Sequence, residues 1–310
     1  MAHDPLGFFH PAVAGWFRET FRAPTLAQQR AWPEIAAGRS TLLLAPTGSG
    51  KTLAAFLAAL ERLLFAPVPA KPARCRVLYV SPLRALAVDV EKNLRVPLDG
   101  IARMAEQRGD QIHLPSVALR TGDTPQQERA RMGRTPPDIL ITTPESLYLI
   151  LSSEARAILR SVEVAMVDEI HVLVGTKRGA HLALSLERVE ELAGRPLQRI
   201  GLSATQRPLR EVARFLGGGR GGTTWQPRPV SIVDAGVRKA FDLKVEVPAE
   251  QASSPAELPV DVAAPPRRAL WPSIHPRLLE LVRAHRTTIV FVNNRRLAER
   301  LAAALNELAG

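Results

Sequence analysis

Ala45-Pro46-Thr47-Gly48-Ser49-Gly50-Lys51-Thr52 stands between a short apolar run, Thr41-Leu44, and a helical pattern over Lys51-Leu64. Strand, glycine loop and helix in that order are the context a phosphate-binding loop requires. Free backbone N–H groups at the helix start attract anions. A lysine at this position reaches β- and γ-phosphate oxygens, and the hydroxyl after it is a ligand for Mg2+. Thr47, Gly48, Ser49, Gly50, Lys51 and Thr52 are therefore the candidate nucleotide-binding residues. Ala45 replaces the first glycine of the G-x-x-x-x-G-K-[ST] pattern, a mild change because Gly48 and Gly50 still permit the tight turn. In isolation, a glycine-rich turn with a solvated lysine would read the same way.

The alternation continues outward from this loop. Apolar runs at Arg76-Val80, Ser116-Arg120, Asp138-Thr142, Val162-Val167 and Gln198-Leu202 are followed by helix-like stretches at Leu83-Leu94, Pro125-Met132, Pro144-Ser152 and Ala180-Leu192. Repeated strand–helix units predict an α/β fold with a doubly wound parallel sheet, whose ligands sit beyond the carboxyl ends of the strands. Gly217-Gly218-Gly219-Arg220-Gly221-Gly222 is too rich in glycine to continue a helix, and a first domain is expected over residues 1–222. Val230-Val233 and Phe241-Val247 follow it, and a proline-rich excursion is expected over residues 248–276. Thr287-Val292 then reads as a buried strand and Arg296-Leu308 as its helix. Residues 223–310 are accordingly expected to hold the incomplete start of a second domain.

The chain has 310 residues, enough for about two domains at roughly 150 residues each. Its 46% hydrophobic content excludes a disordered tail, and a single cysteine, Cys75, excludes both a disulfide framework and a cysteine metal site. No apolar run approaches the ~20 residues of a membrane helix, so a soluble, cytoplasmic protein is expected. Lys plus Arg number 41 against 30 for Asp plus Glu, a net charge of +11 that suits a polyanionic partner such as nucleic acid. A biased coding composition would also raise the arginine content.

Val162-Val167 delivers Asp168-Glu169-Ile170-His171 at its carboxyl end. An acidic pair there suits a metal-holding Asp168 and a Glu169 that orients or deprotonates the attacking water, although alone it also reads as a turn or helix cap. Ser81-Pro82-Leu83-Arg84 and Thr142-Thr143-Pro144-Glu145 place helix starts after two further strands. Such starts can receive backbone phosphates or simply cap their helices. Ser203-Ala204-Thr205 follows the strand Gln198-Leu202, where two hydroxyls can relay one site to another or cap the next helix. Gln28 has an amide able to pair with N6 and N7 of adenine, or to serve in a capping segment.

In this order, Pro24-Thr25-Leu26-Ala27-Gln28, Ala45 to Thr52, Ser81 to Leu86, Thr142 to Leu147, Asp168-Glu169-Ile170-His171 and Ser203-Ala204-Thr205 resemble the motif set of superfamily-two DExH helicases. Ile141 to Tyr148, Gly175 to Arg188, Arg120-Thr121-Gly122-Asp123-Thr124, Trp271-Pro272 and Thr288 to Arg295 resemble more narrowly the Lhr (large helicase-related) family. The resemblance covers nearly the whole chain. It implies a RecA-like ATP-binding domain over residues 1–222 and the truncated start of a second RecA-like domain over 223–310. It also implies an ATP hydrolase that moves 3′ to 5′ along single-stranded DNA and unwinds DNA or DNA–RNA hybrid duplexes in DNA repair.

By matched motif, the resemblance makes Lys51, Asp168 and Glu169 catalytic and Gln28 the adenine reader, with Thr52 and Asp168 on Mg2+. Ser81, Arg84, Thr143 and Arg295 would touch nucleic acid, while His171, Ser203 and Thr205 would couple the two sites. Family members carry arginines and further domains beyond the point matched by Gly310. An ATP-gated nucleic-acid binder without appreciable turnover is therefore an alternative expectation, as are a ligase-associated DExH repair helicase and an RNA helicase.

Overall fold

The computed structural model describes residues 4–204, 208–221, 225–236, 242–246 and 271–310. Two compact units divide the chain, Met1–Arg238 and Lys239–Gly310.

In the first unit, helices α1 (Pro11–Thr20) and α2 (Leu26–Ala36) precede strand β1 (Thr41–Leu44) and helix α3 (Lys51–Phe65). Then come β2 (Val77–Val80), α4 (Arg84–Asn93), α5 (Arg95–Arg108), β3 (Val117–Arg120), α6 (Gln126–Arg134), β4 (Ile139–Thr142) and α7 (Pro144–Leu151). The unit continues with β5 (Val164–Val167), α8 (Lys177–Ala193), β6 (Gln198–Ser203), α9 (Leu209–Gly217), a two-stranded ribbon of β7 (Gly219–Arg220) and β8 (Gln226–Pro227), and β9 (Ser231–Asp234). The main sheet has the order β3-β4-β2-β5-β6-β1-β9, and every pairing in it is parallel. All strands therefore end at one edge, with β6 between the glycine-loop strand β1 and the acidic strand β5.

Strands β1, β2, β4 and β5 are buried at every residue, as a parallel sheet covered on both faces demands. Alternation along β2 shows the two faces. Val77 and Tyr79 join a core with Phe17, Trp32 and Phe56, whereas Leu78 and Val80 join one with Leu147, Leu182 and Leu216. Helix α3 is apolar nearly all round because it is enclosed in the first core. Cys75 is buried, and burial pushes its thiol up to about 12, so it is no nucleophile. Arg199 in β6 is buried too, held by Glu187 and Glu190 of α8 at 2.9 Å each.

The main sheet runs past residue 222, the boundary expected from the glycine run. Strand β9 lies beside β1, with Thr41 opposite Ser231 and Leu44 opposite Asp234. The glycine run instead leads into the small ribbon. No membrane-length apolar helix occurs among the described residues.

The second unit contains α10 (Trp271–Ala284) and α11 (Arg295–Ala309). Residues 271–276, expected at the end of the proline-rich excursion, are helical. A proline in the first helical turn costs no hydrogen bond, and Pro276 is accommodated inside the helix. Most of that excursion lies outside the described residues. Thr287-Val292 is not a buried strand: no strand is assigned there, Ile289 is 74% exposed and Phe291 90%. A strand needs neighbours to bond its backbone, and no other strand is present among the described residues of this unit.

Candidate functional site

The glycine loop spans the gap between the end of β1 and the start of α3. Gly48 and Gly50 have φ of +79° and +77°, left-handed values that side chains resist. Gly50 meets a second constraint, since a Cβ there would lie 2.7 Å from Nε2 of Gln28. Gln28 is buried at the start of α2. Its Oε1 accepts from the Thr25 N–H at 2.9 Å while its own N–H donates to Thr25 Oγ1. Thr25 Oγ1 in turn donates to the Ser49 carbonyl at 2.8 Å, so this capping box is fastened to the loop. The Gln28 amide thus sits against the loop with one lone pair of Oε1 still available.

Lys51 begins α3 and donates to the carbonyls of Ala45 at 2.6 Å and Pro46 at 2.9 Å. Burial pushes its ammonium below its ordinary pKa, and the carboxylates of Glu169 and Asp168 oppose that shift. Loop and acidic pair are therefore electrostatic neighbours. Ser49 Oγ donates to the Pro46 carbonyl and shapes the turn, and Thr52 follows Lys51 in the first turn of α3.

Asp168 follows β5 and is buried. Its N–H donates to Val80 O at 2.9 Å, its Oδ1 accepts from the Glu169 N–H at 2.9 Å, and its Oδ2 accepts from the Tyr79 hydroxyl at 2.6 Å. Burial first, then the neighbouring Asp168 carboxylate, pushes the Tyr79 hydroxyl well above its ordinary value, so it stays a donor. Glu169 has φ +41° and is the one non-glycine residue with positive φ among the described residues, a strained conformation of the kind found at working sites. His171 Nδ1 lies 3.3 Å from Glu169 Oε2 and 3.4 Å from Ser203 Oγ at the end of β6. Three of the residues picked out from sequence are thus brought together, with Glu169 and Ser203 both facing Nδ1 of His171. Thr205 lies outside the described residues.

Hard oxygen donors from Thr52 and Asp168 suit Mg2+, which keeps waters and phosphate oxygens and needs few protein ligands. Among the described residues no cluster of three or more His, Cys, Asp or Glu could cage a metal alone.

Ser81, Arg84 and Thr143 follow the adjacent strands β2 and β4. Ser81 is fully buried, its hydroxyl donating to Leu83 O at 3.0 Å, so it shapes the turn from beneath. Arg84 is exposed and ion-paired with Asp123. Thr143 caps α7, its Oγ1 accepting from the Ser146 N–H. Arg295 belongs to the second unit, where it begins α11 and pairs with Glu299 at 3.0 Å.

The DEAD/DEAH box helicase family model matches residues 25–214, a span that begins at the Thr25 capping box and takes in the loop, the acidic pair and Ser203. The chain belongs to the DEAD/DEAH box helicase family. Within that family it is similar to the Lhr helicases. An Lhr helicase of Mycolicibacterium smegmatis is 52% identical over 98% of this chain and 19% of its own length. The Lhr helicase/uracil glycosylase of Escherichia coli is 47% identical over 97% of this chain and 20% of its own. The solved structure of Mycobacterium smegmatis helicase Lhr bound to ssDNA and AMP-PNP aligns with a TM-score of 0.78, covering 99% of this chain and 37% of that one. The chain thus spans about a fifth of the length of these curated relatives. Tyr79, whose hydroxyl bonds Asp168, is a residue beside the candidate site that sequence reasoning passed over. A tyrosine inside an apolar strand reads as core, and only its hydroxyl partner reveals more.

Proposed function

We propose that the chain is the ATP-binding motor segment of an Lhr-type helicase, hydrolysing ATP to move 3′ to 5′ along single-stranded DNA and to open DNA or DNA–RNA duplexes in DNA repair. One observation carries the reading: Lys51, Asp168, Glu169, His171 and Ser203 converge at the ends of β1, β5 and β6.

In this reading the loop N–H groups and Lys51 hold the phosphates, and the Gln28 amide reads the adenine edge. Thr52 and Asp168 would hold Mg2+, which when bound neutralises charge on the β- and γ-phosphates. Glu169 orients the attacking water and accepts its proton. His171 and Ser203 pass the state of Glu169 to β6. Arg84, Thr143 and Arg295 supply backbone contacts that read no bases, and Ser81 supports the turn carrying Arg84.

Binding of a labelled single-stranded DNA, with and without AMP-PNP and Mg2+, tests the nucleic-acid half of the reading. Nucleotide should tighten binding, and affinity should fall steeply between 50 and 200 mM salt through counterion release. Salt-independent binding, or none, contradicts a backbone track. A matched RNA strand that binds far better would favour the RNA-helicase alternative.

A further inference from the structure

Tyr79 touches three parts of the helicase domain at once. Its backbone lies in β2, paired with Met166 of β5 on one side and Ile141 of β4 on the other. Its ring packs on Phe56 of α3, the helix that starts with Lys51, with ring centroids 5.0 Å apart. Its hydroxyl, with no exposure to solvent, donates to Asp168 Oδ2 at 2.6 Å. Packing alone does not require that hydroxyl, since a phenylalanine would fill the same space. An O–H aimed at a buried carboxylate fixes the direction in which the remaining lone pairs point. The Asp168 N–H bond to Val80 O fixes the backbone of the same residue. Side chain and main chain of Asp168 are thus both anchored to β2.

We propose that Tyr79 is a positioning residue that orients the Asp168 carboxylate for Mg2+ in the nucleotide complex. The inference rests on the proposed nucleotide site. Groups that hold a metal ligand in place are typically worth about 10- to 100-fold in metal affinity. The same tie places the metal ligand one short turn from Ser81 and Arg84, which follow β2.

The test is binding of a fluorescent ADP to the full chain, with excess EDTA and over a Mg2+ titration, for the parent and Tyr79→Phe. The variant should bind ADP in EDTA as the parent does, yet need about 10- to 100-fold more Mg2+ for half-saturation. An unchanged Mg2+ midpoint in a folded Tyr79→Phe protein overturns the inference. Failure of the parent itself to bind ADP would instead overturn the nucleotide-site reading. Phe56→Leu disturbs the ring contact and keeps the hydroxyl, so its Mg2+ midpoint should match the parent. A shift equal to that of Tyr79→Phe would assign the effect to packing and overturn the proposal.

A second measurement does not depend on the variant folding. The chain has two tyrosines, so 3-fluorotyrosine labelling gives two resonances, assigned with Tyr148→Phe. The Tyr79 signal should move when Mg2+ is added to the ADP complex, and a signal that stays in place contradicts the proposal.

Discussion

Ser203 Oγ lies 3.4 Å from Nδ1 of His171, the nitrogen that also faces Glu169. Strand β6, inserted between β1 and β5, makes this meeting possible, because its last residue ends beside both the glycine loop and the acidic turn. Ser203→Ala removes one hydrogen bond, worth about 0.5–1.5 kcal/mol, and touches no phosphate-binding group. Nucleotide affinity should stay within about threefold of the parent, while stimulation of hydrolysis by a DNA strand falls by a larger factor. Parallel titrations and turnover assays check this, and equal losses in both would count against a relay.

Gly50→Ala should be far more harmful than its size suggests. Its φ of +77° strains any side chain, and the new Cβ would press on the Gln28 amide. The conformational part alone costs about 1 kcal/mol, roughly 2–4 °C in Tm for a domain of this size. Nucleotide affinity should fall as well. Gly133→Ala, in α6 with no atom near its added methyl, should be neutral or stabilising by about 0.5–1 kcal/mol. Thermal melting of the two variants gives the comparison.

Arg199 is 1% exposed and bridges Glu187 and Glu190, and Arg228 bonds Glu187 at 2.7 Å from the other side. Removing one member of a buried ionic cluster strands the rest, so Arg199→Ala should cost about 3–5 kcal/mol in chemical denaturation. Arg214→Ala, which breaks only an exposed pair with Glu211, should leave the midpoint unchanged.

Acid should release the link between α2 and β9. Hydrogen bonds from Arg39, and then from Ser231, hold the Glu34 carboxyl down at about 2, against an ordinary 4.5. A carboxyl lowered on folding contributes stability that is whole above its unfolded pKa and is lost as pH falls through its folded one. The stability difference between parent and Glu34→Gln should therefore be constant above about pH 5 and shrink between about 4.5 and 2. Urea midpoints across that range measure it, and a difference that grows on acidification would contradict the assignment.

The strands that carry the site were legible because each is a short apolar run ending in polar residues, and a covered parallel sheet leaves that trace. The loop residues Thr47 to Thr52 follow from spacing as well, whereas Gln28 alone reads equally as part of a capping segment and gains its adenine role only from the family resemblance. Strand β9 was missed as part of the first sheet because pairing is set by the Thr41–Ser231 register, which no local pattern encodes. Thr287-Val292 misled for the opposite reason: its apolar pattern is that of a buried strand, yet burial needs neighbours the run does not itself supply. Helices α1 and α5 were not expected, and they pack on each other across a long separation in sequence. Tyr79 shows the limit most sharply, since its residue type suits both packing and the hydroxyl bond to Asp168.

ATP hydrolysis by the 310-residue chain, with and without single-stranded DNA and beside Lys51→Ala, tests the central claim most directly. The account predicts turnover that the strand stimulates and that disappears in the variant, whose fold should persist because the change lies at the first residue of α3, at the sheet edge, and alanine suits a helix. ATP bound through Lys51 but not turned over would assign the chain to the ATP-gated binder. Unchanged ATP affinity and turnover in a folded Lys51→Ala protein would contradict the site itself.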